Sequence, residues 1–526
     1  MTQTTLPQLT ALAKAGAVGR AWALFEDAGF ATRTADPAAL AVKGRLLKGR
    51  ARLAAGEERR SLYHAAAEAY GAANLLAPAP YLAINAASLH LLAGDAEGAE
   101  AGAAAVLAQL ERAALDTPYF LAATRAEAQL LLGNRAEAEA AMADAASADP
   151  DGWADRAATI AQLREIAVAQ GSAAAWIDKF APPASLHFAG HMGVEAGGSS
   201  EARLRADLAA HFAAHPVGFA WGALAAGADI VIAEALLASG AALHVVLPCP
   251  AAQFEAQSVA PAGPDWSRRF ARLMDAAATV RIAADSATSV HDPLATALAG
   301  DLAIGGALCN AAQLASSAAQ LIVCDEAGGG TNTARQAERW RAASGPQYRL
   351  TVPRDLAVEA LFPPEQPDPA RQLAVHLSIL HDDLLDGDRL SGAQLGAIAA
   401  PVAQALAGLP QGSVRPAPGG WEAAVTDLPA ALTAVHKLAE LGTVAVGAHL
   451  AISPLFNDPA SGALVPFGPA PGLARRLAAL AQTGTVLASD ALAVVLAARG
   501  EAPCRAELYY PWEDELGGPV HVLIGQ

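Results

Sequence analysis

The stretch Val217–Pro248, VGFAWGALAAGADIVIAEALLASGAALHVVLP, constrains this chain most. VGFAW is a short apolar run that ends at Gly222. ADIVIAEALLASG follows at helical spacing, and ALHVVLP is a second apolar run. Strand, glycine turn, helix and strand, in that order, make a βαβ unit. Small residues at the strand-to-helix turn let a ligand phosphate approach the backbone. The pattern puts a small-molecule site near the middle of the chain and leaves the ligand unnamed.

A chain of 526 residues holds about three or four domains of roughly 150 residues each. Its 53% hydrophobic residues suffice for several cores, and its many alanines favour closely packed helices. The balance is 35 basic against 52 acidic residues, a net charge of −17. Nucleic acids and anionic membranes need clustered Lys and Arg, so neither is expected as the main partner. Cys249, Cys309, Cys324 and Cys504 form no CxxC pair. They read as buried structural thiols, with no zinc knuckle or redox motif. The opening MTQTTLPQLTALAKAG lacks a basic region followed by an apolar core, so no signal peptide is expected. Val217–Pro248 comes nearest to a membrane span, but Asp229, Glu234 and His244 interrupt it. A cytoplasmic location is the expectation.

Residues 1–178 read as antiparallel helical pairs. Tyr81–Leu92 ends at Gly94-Asp95, and Ala96–Leu110 follows. Tyr119–Leu132 ends at Gly133-Asn134, and Arg135–Ala146 follows. Gly or Asn supplies the left-handed stop of each first helix. Asp149-Pro150-Asp151 closes the second pair, and Leu9–Glu26 and Leu40–Ala55 look like weaker copies. Repetition at this spacing predicts an all-α helical-repeat solenoid, either a partner-binding concave face or a spacer.

Residues 183–355 alternate strand and helix. Strands are expected at Ser185–Ala189, Val217–Trp221, Ala242–Leu247, Thr279–Ala283, Gln320–Cys324 and Tyr348–Val352. This is the pattern of a doubly wound parallel α/β sheet. Three small or polar turns follow strand ends: Gly190–Gly193, Gly222–Gly227 and Asp325–Thr333. All three should share the sheet edge where open α/β sheets bind ligands. Residues 356–371 form a linker, with proline and charge dominating Pro363–Arg371. Residues 372–526 suggest an α+β sheet. Its expected strands are Gln372–Leu380, Trp421–Val425, Thr443–Ile452, Thr485–Ala488, Arg505–Tyr510 and Val520–Ile524. Its helices are Leu390–Leu406, Leu428–Leu441 and Gly472–Ala481, with a strong turn at Asn457–Gly462.

Chemistry-bearing residues concentrate at the turns. The middle segment has no GxGxxG and no P-loop ending, so GALAAG (Gly222–Gly227) is a weak motif. GGGTNT is better: Gly328, Gly329 and Gly330 bare their backbone N–H groups, Thr331 and Thr333 offer hydroxyls, and a helix starts at once. That makes either an anion cradle or a tight strand-to-helix turn. His191, beside Gly190, either donates to a phosphate or ribose oxygen or hydrogen-bonds within its loop. Asp229 either steadies the start of its helix or accepts from ribose hydroxyls. There is no GxSxG and no HExxH.

Three resemblances bear on these segments. Residues 60–170, with YLAINAASLHLLAGD and YFLAATRAEAQLLLGN, resemble the TRAFs-binding, tetratricopeptide-like region of bacterial multidomain signalling proteins. Phe188–Gly193 (FAGHMG), Trp221–Pro248 and Gly328–Thr333 together resemble the SLOG superfamily, which includes LOG-type nucleotide phosphoribohydrolases and the DNA-processing protein A fold. That resemblance implies nucleotide binding by a Rossmann-like domain. Glu234 follows Gly227 where LOG enzymes carry a catalytic glutamate, but the surrounding glycines differ, which favours sensing over hydrolysis.

Ser378–Gly387, Val446–Gly462, Phe467–Leu480 and Thr483–Asp490 resemble a class III adenylate/guanylate cyclase homology domain, with a ferredoxin-like sheet. The resemblance implies two metal-binding aspartates on adjacent strands. Asp383 matches the first, with Asp382 a near alternative; the second place reads Pro418-Gly419-Gly420. Arg476 matches the transition-state arginine, while Gly472 stands where an Asn is needed. The implied domain is a degenerate cyclase without turnover. The acid cluster His381–Asp388 is either a Mg²⁺ site or a solvated loop.

The expected molecule is thus a nucleotide-sensing regulator in three domains, 1–178, 183–355 and 372–526; the alternatives are a residual adenylate/guanylate cyclase or nucleotide hydrolase, and a scaffold whose glycine turns bind nothing. Its partners would be a nucleotide-type small molecule and a protein docked on the helical repeats. The cyclase resemblance implies a homodimer.

Overall fold

Capping residues set the helix ends in the first part of the chain. Asp36, Asp95 and Thr117 each accept a backbone N–H at a helix start, and Gly94 (φ 93°) lets the chain leave a helix through the left-handed region. The computed structural model describes residues 4–111, 117–284, 292–342, 345–362, 367–385, 390–457, 459, 464–500, 504–510 and 518–525. Two units emerge, Met1–Pro182 with Gln313–Ala315, and Pro183–Ala312 with Ser316–Gln526.

The first unit holds α1 (Leu6–Lys14), α2 (Val18–Asp27), α3 (Pro37–Leu53), α4 (Gly56–Leu76), α5 (Pro80–Ala93), α6 (Ala96–Leu110), α7 (Pro118–Leu131), α8 (Arg135–Ala148) and α9 (Trp153–Ala169). From α3 to α8 each helix packs on the next in the chain. Leu9–Glu26, expected as a weaker copy of the helical pair, holds α1 and α2 with Gly16 (φ 85°) between them, whereas Leu40–Ala55, expected as another copy, falls within the single helix α3 and its C-terminal end. Helix α4 had no counterpart among the expected elements. It buries Tyr63, Ala66, Ala67, Tyr70 and Ala73 along one stripe.

The second unit begins with β1 (Ala184–Gly190), α10 (Ser199–Ala214), β2 (Val217–Gly222), α11 (Ala228–Ala238), β3 (Ala242–Leu247), α12 (Ala251–Ser258), α13 (Pro264–Ala276) and β4 (Thr279–Ile282). Next come α14 (Pro293–Gln313), β5 (Ala318–Cys324), α15 (Thr331–Ala342) and β6 (Gln347–Thr351). These six strands form one parallel sheet in the order β4-β3-β2-β1-β5-β6. The chain steps outward from β1 to β4, then α14 carries it back to the other side of β1. The winding reverses between β1 and β5.

The rest comprises α16 (Val358–Leu361), β7 (Arg371–Leu380), α17 (Asp382–Leu385), α18 (Gly392–Leu406), β8 (Val414–Ala417), β9 (Gly420–Val425) and α19 (Leu428–Leu441). β10 (Ala445–Asn457), β11 (Leu464–Pro466), α20 (Ala470–Leu480), β12 (Val486–Ser489), α21 (Asp490–Arg499), β13 (Cys504–Tyr510) and β14 (Val520–Gly525) complete it. The mixed sheet runs β13-β14-β12-β10-β7-β9-β8, with β11 on β10. From β7 through β10 it has the βαββαβ order of a ferredoxin-like sheet. The expected linker ends inside it: Arg371 opens β7, and its buried guanidinium lies 3.4 Å from Asp292. Most of the expected turn at Asn457–Gly462 and residues 363–366 of the linker lie outside the described residues.

The two sheets share one core. Trp221, Val246, Leu298, Leu302 and Ala307 belong to the same buried cluster as Val375, Leu377, Ile379, Val446, Leu492 and Val494. Helix α14 lies between them. A Cβ on its Gly305 would stand 1.9 Å from the carbonyl oxygen of Val494 in α21, and one on Gly306 would stand 2.7 Å from the Trp221 indole. Separate middle and C-terminal domains were expected; this packing joins them in a single compact unit. α14 is also long and apolar enough to cross a membrane, yet 61% of its apolar window is buried. That is the composition of a helix with protein on two sides.

Replacing glycine by alanine inside a helix ordinarily stabilises it by about 1 kcal/mol. Gly396→Ala in α18, with open space around it, should raise the unfolding midpoint in urea. Gly305→Ala should lower the midpoint, with a stability loss of roughly 1–3 kcal/mol, because α21 must move away. Equal shifts in both variants would show that α14 and α21 are not in close contact.

Candidate functional site

The winding reversal brings the ends of β1 and β5 together, which is the position where open α/β sheets take ligands. Gly190-His191 leaves β1 there, and Asp325 through Thr333 leaves β5. The turn after β2 lies beside them.

Most of the glycines at this edge are filled from within. A Cβ on Gly190 would stand 2.4 Å from the Ala228 methyl, so α11 touches the end of β1. A Cβ on Gly222 would stand 2.6 Å from the Phe188 ring. Gly227 (φ 112°) crosses the His191 loop, where a Cβ would stand 3.0 Å from His191 O. These three glycines serve backbone packing.

Asp229 and His191 tie the same knot. Asp229 is 7% exposed and accepts from Gly190 N at 2.6 Å and Ala225 N at 3.3 Å. Burial pushes its carboxyl up to about 7, against the pull of those two N–H donors. His191 is 2% exposed, with Nδ1 2.8 Å from Met192 O and Nε2 3.0 Å from Val352 O. His191 makes the loop hydrogen bonds read as one of its two alternatives. Asp229 spends its carboxylate on Gly190 and Ala225, both outside its own helix, rather than on the start of that helix.

The Gly328–Thr331 turn differs. Gly330 has nothing within 4 Å of where a Cβ would sit, and Thr331 is exposed. The turn is shaped by Asp325, whose carboxylate accepts Gly329 N at 2.9 Å and pairs with Arg354 at 2.8 Å. Those N–H groups hold the Asp325 carboxyl below its ordinary value. The first N–H groups of α15 have no partner within the helix. Asn332 Oδ1 is buried without a hydrogen-bond partner. Thr333 points inward and donates to Gly190 O at 3.2 Å. Gly330 and Thr331 thus stay exposed while Thr333 is taken up by packing, so less of the GGGTNT motif is open than its sequence suggested.

Glu234 lies in an ion cluster. Arg269 reaches both of its oxygens at 2.8 Å, and Arg205 also reaches one of them. Arg269 further pairs with Glu201, so α10, α11 and α13 are joined by charge. Both carboxylate oxygens of Glu234 are therefore engaged by arginines that join three helices.

On the mixed sheet, Leu380 of β7 pairs with Gly420 of β9, and His381 N donates to Gly419 O at 3.0 Å. Asp382 and Asp383 therefore stand beside the β8–β9 turn. Asp382 accepts from Thr483 at 3.2 Å, and the Asp383 side chain is 68% exposed. Gly419 (φ 79°) faces Leu385, whose Cδ2 would lie 2.5 Å from a Cβ there. The turn that the cyclase resemblance aligns with a second aspartate carries no carboxylate at Pro418, Gly419 or Gly420, so beside Asp382 and Asp383 it offers no second donor for a pair of metal ions. Among the described residues no three His, Cys, Asp or Glu side chains gather to hold a metal. Asp386 and Asp388 of the acid cluster lie outside them.

Arg475, not Arg476, reaches this turn: it donates to Pro418 O at 2.8 Å, while Arg476 and Gly472 are exposed. Consecutive helix residues point about 100° apart, and the motif spacing selected the outward one. Sequence reading also missed a groove of about 200 Å³ on the mixed sheet, lined by Gln372, His376, Arg415 and Glu422. Burial pulls His376 down to about 4, and its Nε2 lies 2.8 Å from Ser453 Oγ.

In the helical unit, alternate helices turn polar residues toward one another. Lys48 on α3 donates to Gln162 on α9 at 2.7 Å and to Asn85 on α5 at 3.3 Å. Arg52 pairs with Glu165 at 2.9 Å, and Ser88 donates to Glu127 at 2.5 Å. Burial, then the neighbouring Arg52, pulls the Lys48 ammonium down to about 8. The polar residues that face one another across α3, α5, α7 and α9 are bonded within the unit.

Asp229 makes a pH signature. An unfolded aspartate titrates near about 3.9, so the folded state holds the extra proton between there and about 7. Its contribution to stability is then full below pH ~4 and falls as pH rises toward 7. Asp229→Asn should flatten this part of the urea-unfolding profile. An unchanged slope would show that Asp229 does not titrate in this window.

No family model and no curated protein matches the chain. Among solved structures it is similar to the adenylyl cyclase CyaB from P. aeruginosa, at 11% identity and a TM-score of 0.24, over 30% of this chain and 95% of that one. An adenylate/guanylate cyclase/hydrolase from Silicibacter pomeroyi gives 18% and 0.22, over 29% and 95%. The catalytic core of a rhodopsin-guanylyl cyclase with converted specificity, in complex with ATPαS, gives 11% and 0.23, over 30% and 97%. Likenesses at these TM-scores assign neither an activity nor a ligand to this chain.

Proposed function

We propose that the chain is a nucleotide-sensing regulatory protein without turnover of its own. A nucleotide binds at the carboxyl edge of the parallel sheet, and the mixed sheet acts as a cyclase-like regulatory module. The helical unit, a tetratricopeptide-like array, docks a protein partner. The observation that carries the reading is the open Gly328–Thr331 turn at the β1/β5 reversal. It offers helix N–H groups to a phosphate where such sheets bind ligands. The SLOG resemblance supplies the nucleotide class.

The loss of turnover rests on residues. Two-metal phosphoryl transfer needs paired carboxylates, and Gly419 stands in for one of them. Gly472 in place of a transition-state donor costs about two to three orders of magnitude more. Docking a partner on the inner face of the helical unit requires breaking Lys48–Gln162 and Arg52–Glu165.

A second reading, a scaffold that binds nothing, draws on Gly190, Gly222 and Gly227, all filled from within. A melting-temperature panel separates the two. Purified protein is heated with ATP, GTP, AMP, cyclic nucleotides, NAD and ADP-ribose, with and without Mg²⁺. A ligand of the native state raises the midpoint by mass action. The sensor reading expects a shift with at least one nucleotide, abolished by Gly330→Glu, which sets a carboxylate in the open turn. No shift with any of them selects the scaffold. ATP and GTP should yield no cyclic nucleotide with Mg²⁺ or Mn²⁺, and Gly419→Asp should not start the reaction, because Gly472 still leaves the transition-state donor missing.

A further inference from the structure

We propose that α15 couples the Gly328–Thr331 turn to the mixed sheet through one buried carboxylate, Asp301. A nucleotide at the turn then tightens α21 at the far end of α15. The proposal rests on the nucleotide reading above and adds to it the route by which binding is felt.

Helix α15 starts at the open turn and is fixed along its length by buried contacts. Thr333 donates to Gly190 O. One turn later, Gln336 Oε1 accepts from His187 Nε2 at 2.9 Å, while His187 Nδ1 accepts from Gln320 at 2.9 Å. Burial pulls His187 down to about 3, so its ring keeps the single Nε2 proton this arrangement needs. Gln336 Cγ would lie 3.0 Å from a Cβ on Gly300, which brings α15 directly onto α14. Trp340 is fully buried, stacks on His187, and shares a cluster with Ile304 of α14 and Ala498 of α21.

Charge completes the joint. Asp301 on α14 is 6% exposed. Its Oδ1 lies 3.2 Å from Arg339 Nε on α15, and its Oδ2 lies 2.9 Å from both Nε and Nη2 of Arg499 on α21. One carboxylate therefore holds the last turn of α15 and the last turn of α21. The other end of α21 is held as well. Asp490 takes His521 of β14 at 2.8 Å and Arg281 of β4 at 2.5 Å.

The physical link is rigidity. An anion at the turn favours one position of the α15 N-terminus. A helix packed through Gly300 and Trp340, and held by a part-buried ion triad around Asp301, resists shifting at one end alone, because close-packed interiors transmit strain. Ion pairs in such surroundings are stronger than in water and sensitive to alignment. The coupling must also be reciprocal: weakening the triad weakens binding at the turn.

Amide hydrogen exchange on the full chain tests this. ATP, GTP, AMP, NAD and ADP-ribose are added singly to the natural protein, to Arg499→Gln and to Arg339→Gln. Each variant leaves one arginine on Asp301, so a folding failure in one leaves the other to report. The expected result is that a nucleotide protecting residues 328–334 also slows exchange over 490–499 in the natural protein. In the variants the effect over 490–499 is lost, and affinity falls on the order of fivefold or more. Protection at 328–334 with 490–499 unchanged, or full affinity in both variants, overturns the coupling and leaves nucleotide binding standing. No protection at 328–334 with any of the five overturns both.

Discussion

The second unit depends on how closely α14 can be approached. Gly305 and Gly306 cost that helix about 1 kcal/mol each relative to alanine. In exchange the Val494 backbone and the Trp221 ring come within contact distance on two sides. Without that approach the parallel and mixed sheets would need separate cores. With it, α14 is both a crossover of one sheet and a floor of the other. The buried Asp301 then finds Arg339 and Arg499 already in reach, and the polar joint adds direction to an apolar contact that has none.

The same use of missing side chains decides what the ligand edge can be. Gly190, Gly222 and Gly227 are spent on bringing α11, β2 and the His191 loop together. Asp229 then satisfies two backbone N–H groups that would otherwise be buried unpaired, at the cost of a carboxyl that prefers its proton. What stays open is the turn after β5, where Asp325 shapes the backbone and α15 begins.

In the helical unit the balance is different. Its helices bury alanine-rich stripes against chain neighbours, which needs little side-chain volume. The inner row from α3 to α9 is polar and paired across more than a hundred residues of sequence. Those pairs tie α3 to α9. Any partner on that face competes with Lys48–Gln162 and Arg52–Glu165.

Local patterns in the sequence determined a good deal. Apolar runs over Val217–Trp221, Ala242–Leu247 and Gln320–Cys324 became strands because β propensity and burial agree there. The stops at Gly94 and Gly133 stood because only the backbone conformation of those residues was at issue. The βαβ order told that Gly190 and Gly328 would meet at one edge, since parallel strands with right-handed crossovers leave few alternatives. Pairing at distance was decided by the tertiary structure alone. Nothing near Glu234 in sequence announces Arg269, and nothing near Asp301 announces Arg499. Arg475 and Arg476 are equivalent in a motif and differ only by the helix face that meets Pro418. Likewise a glycine that admits a phosphate and one that admits a neighbouring helix read the same in one dimension. They differ only in what stands where the Cβ would be, and that is fixed by the packing of elements far apart in the chain.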